Sequence, residues 1–205
     1  MQSEGPNPGF TIWFTGMSGS GKSTIGQGVA DALRARGLNV EVLDSGRIRQ
    51  QLNRNLGWSR EEVEANLLRL GYECELLNRN GVTAIVTAVS PYRDVRDRLR
   101  EQIGRFVEVY CRCPMEVLMR RGAEELFEDA LRGKIAHVAG VNAPYEEPLK
   151  PEVLLNTDVV TVDQAVSSVL ATLEVLGRIP RVDTAYYTPA EEQMIRQRLE
   201  DLGYL

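Results

Sequence analysis

The chain has 205 residues, 43% of them hydrophobic and 26% charged, with a formal net charge of −5. That length suits one domain with a small appendage, and that apolar share can fill its core. The acidic balance offers no general basic surface, and the apolar runs are too short to span a bilayer, so no nucleic acid and no membrane are expected as partners.

Residues 1–8, MQSEGPNP, lack the basic start and apolar centre of a signal peptide; they read as a flexible leader and place the chain in the cytoplasm. Ile12–Phe14 reads as a buried strand. It breaks into Gly16-Met17-Ser18-Gly19-Ser20-Gly21-Lys22-Ser23, the G-x-x-x-x-G-K-[ST] spacing of a P-loop. The glycines let successive backbone N–H groups turn inward as an anion nest, and the following helix adds its positive N-terminal end. The phosphate-binding set is Gly16, Ser18, Gly19, Ser20, Gly21, Lys22, Ser23 and Thr24. Lys22 brings a mobile cation to the β- and γ-phosphates, and the Ser23 hydroxyl suits Mg²⁺.

Ile25–Arg36 then carries helical periodicity, closed by Gly37. Val40–Leu43 predicts a second strand ending at Asp44, and Ile48–Asn55 a short helix. Ser59-Arg60-Glu61-Glu62 is a capping box, opening a helix to about Asn78 with Val63, Leu67, Leu70, Cys74 and Leu77 at helical spacing. Val82–Val89 predicts a third strand. Ser90-Pro91 reads as the cap and first position of a helix over Tyr92–Ile103, whose charges read mostly as a solvated face. Phe106–Tyr110 predicts a fourth strand, and Pro114 opens a helix to about Arg121. Residues 122–157 lose periodicity, and such a stretch suits a lid, here about 122–148. A fifth strand is expected near Val159-Val160. Thr161-Val162-Asp163-Gln164 caps a helix to about Leu176.

Gly177–Tyr187 reads as a linker. Thr188-Pro189-Ala190-Glu191 caps an amphipathic helix over 189–202, with Ile195, Leu199 and Leu202 on one side. Packing back on its own domain is favoured over docking or dimerisation. The three cysteines, Cys74, Cys111 and Cys113, have no framework spacing, and Cys111-Arg-Cys113 reads as filling at a strand end rather than a metal or redox pair. The single histidine, His137, cannot form a metal cluster and reads as solvated.

Apolar strands alternating with helices predict an α/β fold: a parallel sheet of about five strands flanked by helices on both faces. Ligands of such sheets bind at the carboxyl ends of the strands, so the P-loop, Asp44 and Ser90 are expected to converge on one rim. The expected organisation is a leader (1–8), a P-loop kinase domain (9–177) and a linker with a C-terminal helix (178–205).

From about Gly9 to Leu176 the chain resembles the adenylylsulfate kinases. The resemblance rests on the GMSGSGKST loop, Leu52-Asn53-Arg54-Asn55-Leu56-Gly57-Trp58-Ser59, Asn66 with Arg69, Ser90-Pro91-Tyr92-Arg93, Phe106-Val107-Glu108-Val109, and Pro144-Tyr145-Glu146 with Pro148. It implies a P-loop kinase fold and transfer of the γ-phosphoryl of ATP, with Mg²⁺, to the 3′-hydroxyl of adenylylsulfate, giving the activated sulfate donor PAPS. It implies catalytic roles for Lys22 and Asp44, an acceptor site of Arg49, Trp58, Asn66, Ser90 and Tyr92, and, by analogy, a homodimer.

The departures cluster on the acceptor side. The family's Asp-Gly-Asp is Asp44-Ser45-Gly46 here, which removes the second aspartate, usually assigned to the acceptor hydroxyl. Trp58 stands where the family places a stacking phenylalanine, and Val63 replaces an arginine whose charge-assisted contact is worth about 2 kcal/mol or more. Val138 replaces an aromatic residue. The basic lid becomes Glu124-Glu125-Leu126-Phe127-Glu128-Asp129. Two further readings therefore stand beside adenylylsulfate phosphorylation: a kinase of this family with a less anionic hydroxyl acceptor, and a non-catalytic nucleotide-binding regulatory module.

Overall fold

The structure, a computed structural model, describes residues 8–52, 58–181 and 188–205, without the side chains of residues 49, 50 and 52. Most of the expected leader, the end of the expected helix Ile48–Asn55 and much of the expected linker lie outside the described residues. Five parallel strands, β1 (Thr11–Thr15), β2 (Val40–Asp44), β3 (Thr83–Thr87), β4 (Phe106–Arg112) and β5 (Val153–Asn156), form one sheet in the order β2-β3-β1-β4-β5. Side chains alternate across a strand, so one apolar run serves two cores. Ile12 and Phe14 pack with α1 (Lys22–Ala35) and α7 (Val162–Val175), whereas Trp13 packs with α3 (Arg60–Arg79) and α4 (Arg93–Ile103).

Three capping boxes form with both halves in place: Ser59 with Glu62, Thr161 with Gln164, and Thr188 with Glu191, the last opening α8 (Pro189–Asp201). Helix α2 (Ser45–Leu52) starts directly after β2 rather than at Ile48, because the Asp44 carboxylate accepts the Arg47 backbone N–H at 3.0 Å and caps it. Ser90 is not a helix cap. Tyr92 holds that position without a side-chain bond, and the Glu146 carboxylate accepts the Arg93 N–H at 2.8 Å from far along the chain. The fifth strand is Val153–Asn156, not Val159-Val160, which lie in the turn after it.

The expected lid is not irregular throughout. After the short helix α5 (Met115–Leu118) the chain passes through a π-turn at Met119–Ala123, kinks at Gly122 (φ 91°) and enters α6 (Glu124–Leu131). Phe127, Ala130 and Val138 form a third apolar cluster with Cys113 and Leu118, joined by Met17 of the P-loop. Gly122 and Gly133, both at positive φ, bracket α6.

The charges of α4 are not all solvated. Arg96 is 2% exposed and bonds Glu108 of β4 at 2.8 Å. Its other nitrogens donate to the carbonyls of Ser90 and Glu146, both at 2.6 Å. Arg100 joins Glu108 to Glu152. A pair this deep requires all its members, since one unpartnered buried charge costs more than the pair gains. Helix α8 packs back on the domain: Leu199 is fully buried and Arg198 donates twice to the Pro151 carbonyl, at 2.9 and 2.7 Å. All three cysteines are free and buried. Among the described residues no helix is long and apolar enough to cross a membrane.

Candidate active site

The rim at the strand carboxyl ends is built around the turn from β1 into α1. Gly16 (φ 145°), Gly19 (φ 81°) and Gly21 (φ 89°) take backbone conformations that side chains disfavour. A Cβ on Gly16 would stand 2.5 Å from the Cys111 carbonyl, so the loop can pass β4 only as glycine. Lys22 lies over the loop, donating to the Met17 carbonyl at 2.8 Å and reaching the Ser20 hydroxyl at 3.4 Å. Burial pushes its ammonium down to about 8, against the opposing pull of Cys111 and Asp44.

Ser23, one residue into α1, donates to the Asp44 carboxylate at 2.9 Å, and Thr87 of β3 donates to the same oxygen at 2.8 Å. Parallel pairing sets Asp44 opposite Thr87 and brings the end of β2 beside the phosphate loop. Burial pushes the Asp44 carboxyl up, but the N–H groups of Arg47 and Gly46 and the hydroxyls of Thr87 and Ser23 outweigh it. The carboxyl is therefore held below its usual range and ionised. An ionised carboxylate beside a hydroxyl at a helix N-terminus is a hard-oxygen set that fits Mg²⁺.

A cavity of about 570 Å³ opens from Gly19, Gly21, Lys22, Ser23 and Thr24 toward Arg121, Thr157 and Val160–Val162. Arg121 is fixed across it by a 2.7 Å bond to the Thr157 carbonyl. The far wall, Arg121, Thr157 and Val160, was not among the residues predicted for the site. Thr157 follows β5 directly, so the misplaced fifth strand hid it. The signal for Arg121 was only its position at the end of a predicted helix.

The predicted acceptor residues are spread over the other half of the rim. Trp58, 58% exposed, precedes α3. Asn66 is buried on the inner side of α3, and Val63 packs toward the core there. The Arg49 side chain lies outside the described residues. Tyr92 is buried, with the Arg60 guanidinium 4.5 Å over its ring. Ser90 is committed internally: the Trp13 indole donates to its hydroxyl at 3.0 Å, and it donates to Thr15 at 3.0 Å. These bonds hold its left-handed backbone (φ 39°), which costs a non-glycine residue about 1–3 kcal/mol. Tyr145, also unpredicted, places its hydroxyl 3.0 Å from the Thr15 hydroxyl, one residue before Gly16.

Two of the four lid acids are paired with cations. Glu128 pairs with Arg132 and Asp129 with Lys134, each at 2.8 Å, while Glu124 and Glu125 occupy the first turn of α6, where the helix dipole favours them. Val138 belongs to the apolar cluster under the lid. A Cβ on Gly140 would stand 2.3 Å from the Met17 sulfur, so the lid loop rests directly on the phosphate loop.

A five-stranded parallel sheet whose first strand runs through a phosphate loop into a helix, with a cavity beyond it, defines a P-loop kinase. A family model described as Adenylylsulphate kinase matches residues 8–156. An adenylyl-sulfate kinase of Rippkaea orientalis is 42% identical over 173 residues, covering 84% of this chain and 96% of the relative. A probable bifunctional SAT/APS kinase 2 of Sorangium cellulosum is 44% identical over 173 residues, and there the match spans only 30% of the relative's length. The Mycobacterium tuberculosis APS kinase CysC, solved with AMPPNP and APS, superposes with a TM-score of 0.77 at 35% identity, covering 82% of this chain and 99% of that one. The chain belongs to the adenylylsulfate kinase family.

Proposed function

We propose that this protein transfers the γ-phosphoryl of ATP to the 3′-hydroxyl of adenylylsulfate, yielding PAPS and ADP. The observation that carries the reading is the Lys22–Ser23–Asp44 constellation at the mouth of the cavity, in a chain of this family. The P-loop amides and Lys22 bind the triphosphate and oppose the charge spread over the transferring group. Ser23 and Asp44 would hold Mg²⁺, which when bound neutralises the β- and γ-oxygens. The acceptor oxygen bonds to the γ-phosphorus as the bond to the β,γ-bridging oxygen breaks, ADP leaves, and the proton of the acceptor hydroxyl passes to solvent water.

Besides its place in the Mg²⁺ set, Asp44 positions Ser23. Its carboxylate already accepts from Ser23, Thr87 and the start of α2, so it orients the Ser23 hydroxyl. With Gly46 in place of the second family aspartate, alignment of the two substrates carries the transfer. Trp58 supplies an exposed aromatic face for the acceptor adenine. The pairing of Glu128 and Asp129 with Arg132 and Lys134 offsets two of the four lid acids and lessens the repulsion of an anionic acceptor such as adenylylsulfate.

A coupled assay for ADP release with adenylylsulfate as acceptor tests the proposal. Turnover supports it. ATP binding without turnover on adenylylsulfate overturns it.

The state of Lys22 adds a pH signature. Triphosphate binding needs the ammonium, so ATP affinity is full below about pH 8 and falls above it, approaching roughly tenfold per pH unit. Folding of the ligand-free protein has the opposite slope. The unfolded chain binds the proton more tightly, so stability rises between about pH 8 and 10.5. KM for ATP and the unfolding midpoint, measured across that range, should both rise.

A further inference from the structure

We infer that the C-terminal tail positions the acceptor-side loop of residues 144–152, with Tyr204 as the residue that locks it. The tail lies beyond the family match, which ends at residue 156. After α8 the chain turns back, the Tyr204 N–H donating to the Leu199 carbonyl at 2.9 Å. The Tyr204 hydroxyl accepts from Arg100 at 2.9 Å and donates to Glu152. Burial beside Glu152 raises its phenol to about 12, so it stays a donor throughout the working range.

Glu152 is almost fully buried. Besides Tyr204 it accepts from Arg100 and from the Glu108 backbone N–H at 2.6 Å. Glu108 bonds Arg96, and Arg96 holds the carbonyls of Ser90 and Glu146. The loop is thus fixed at two ends. At one, Arg96, the Pro91 carbonyl and the Arg93 N–H grip Glu146. At the other, Tyr204 and Arg198 of the tail grip Glu152 and Pro151. Between them Leu149 is 74% exposed and buries little of its own, so the anchors set the loop's position.

The adenine and phosphate cavity lies on the α1, β5 and α7 side, lined by residues 19–25, 121 and 157–162. The anchored loop lies on the other side, where Tyr145 meets Thr15 and Arg96 meets Ser90. The tail therefore acts on the acceptor half of the rim and not on the ATP half. This assignment rests on the proposed acceptor reading for its kinetic consequence, but not for its structural one.

Tyr204→Phe removes one hydroxyl and keeps the ring, so the variant folds. Amide hydrogen exchange is measured on full-length wild type and variant. Exchange within 144–152 is expected to rise about tenfold, as for a lost bond to a charged partner, with α1 unchanged. Kinetics with adenylylsulfate are expected to show an acceptor KM raised about fivefold and an ATP KM within about twofold of wild type. Unchanged exchange within 144–152, or equal rises in both KM values, overturns the inference. Failure of the acceptor reading shows itself separately, as wild-type protein inactive on adenylylsulfate, and the exchange measurement still decides the tail's role.

Discussion

Lys22→Met is expected to lower kcat by roughly 10²–10³-fold, the loss typical of one preorganised donor at a developing charge. The same variant should unfold at the wild-type temperature or slightly above it. Two effects oppose each other in the ligand-free protein. The buried ammonium is desolvated, and removing it relieves that cost. Its bonds to the Met17 carbonyl and the Ser20 hydroxyl are lost, and of these the Met17 carbonyl keeps the Ser20 N–H at 3.2 Å. The methionine fills the space of the lysine stem. Single-turnover rates and a thermal melt on one preparation check both halves. Activity within about twofold of wild type would refute the P-loop assignment.

Arg96→Ala should be the most damaging substitution outside the P-loop. It leaves Glu108 with only the longer 3.4 Å contact to Arg100 and frees two carbonyls, those of Ser90 and Glu146. Breaking one partner of a buried ion pair costs about 3–5 kcal/mol, which for a domain of this size lowers the melting temperature by roughly 10 °C. Burial already pushes the Glu108 carboxyl up, with Arg96 and Arg100 pulling the other way, so without Arg96 the acid should protonate at higher pH. Arg96→Lys keeps the charge but cannot span three acceptors in three directions, and should recover only part of the loss. Equal melting temperatures for Arg96→Ala and wild type would show that the network carries no stability.

Both expectations mark what a sequence reader can and cannot see. The P-loop, four of the strands and the three capping boxes are local: their signals lie within a few residues and agree with the tertiary outcome. Arg96 is the opposite case. In the run Arg93-Asp94-Val95-Arg96-Asp97-Arg98 nothing distinguishes it, and its burial is decided by Glu108 and Glu146, far away in the chain. The fifth strand failed for a related reason. Val153-Leu154-Leu155 is as apolar as Val159-Val160, but it lies in the stretch 122–157 that lacks periodicity, and only pairing with β4 selects it. The same error concealed Thr157 at the nucleotide cavity. At Glu128 and Asp129 the residues were legible but their net charge was not, because Arg132 and Lys134 silence them only once α6 forms.

The strand order has a consequence for biosynthesis. Strand β1 emerges first, carrying the apolar Ile12-Trp13-Phe14, yet its partners are β3, through Ala84, and β4, through Phe106. Until those segments leave the ribosome, this edge has nothing native to bind. Parallel pairing across such separations folds slowly and leaves nascent chains exposed to aggregation. A chain arrested before Phe106 should be insoluble without a holding chaperone, whereas one released after β4 can close the central three strands. The phosphate loop, which precedes β3 and β4 in the chain, thus gains its shape only after they have followed it.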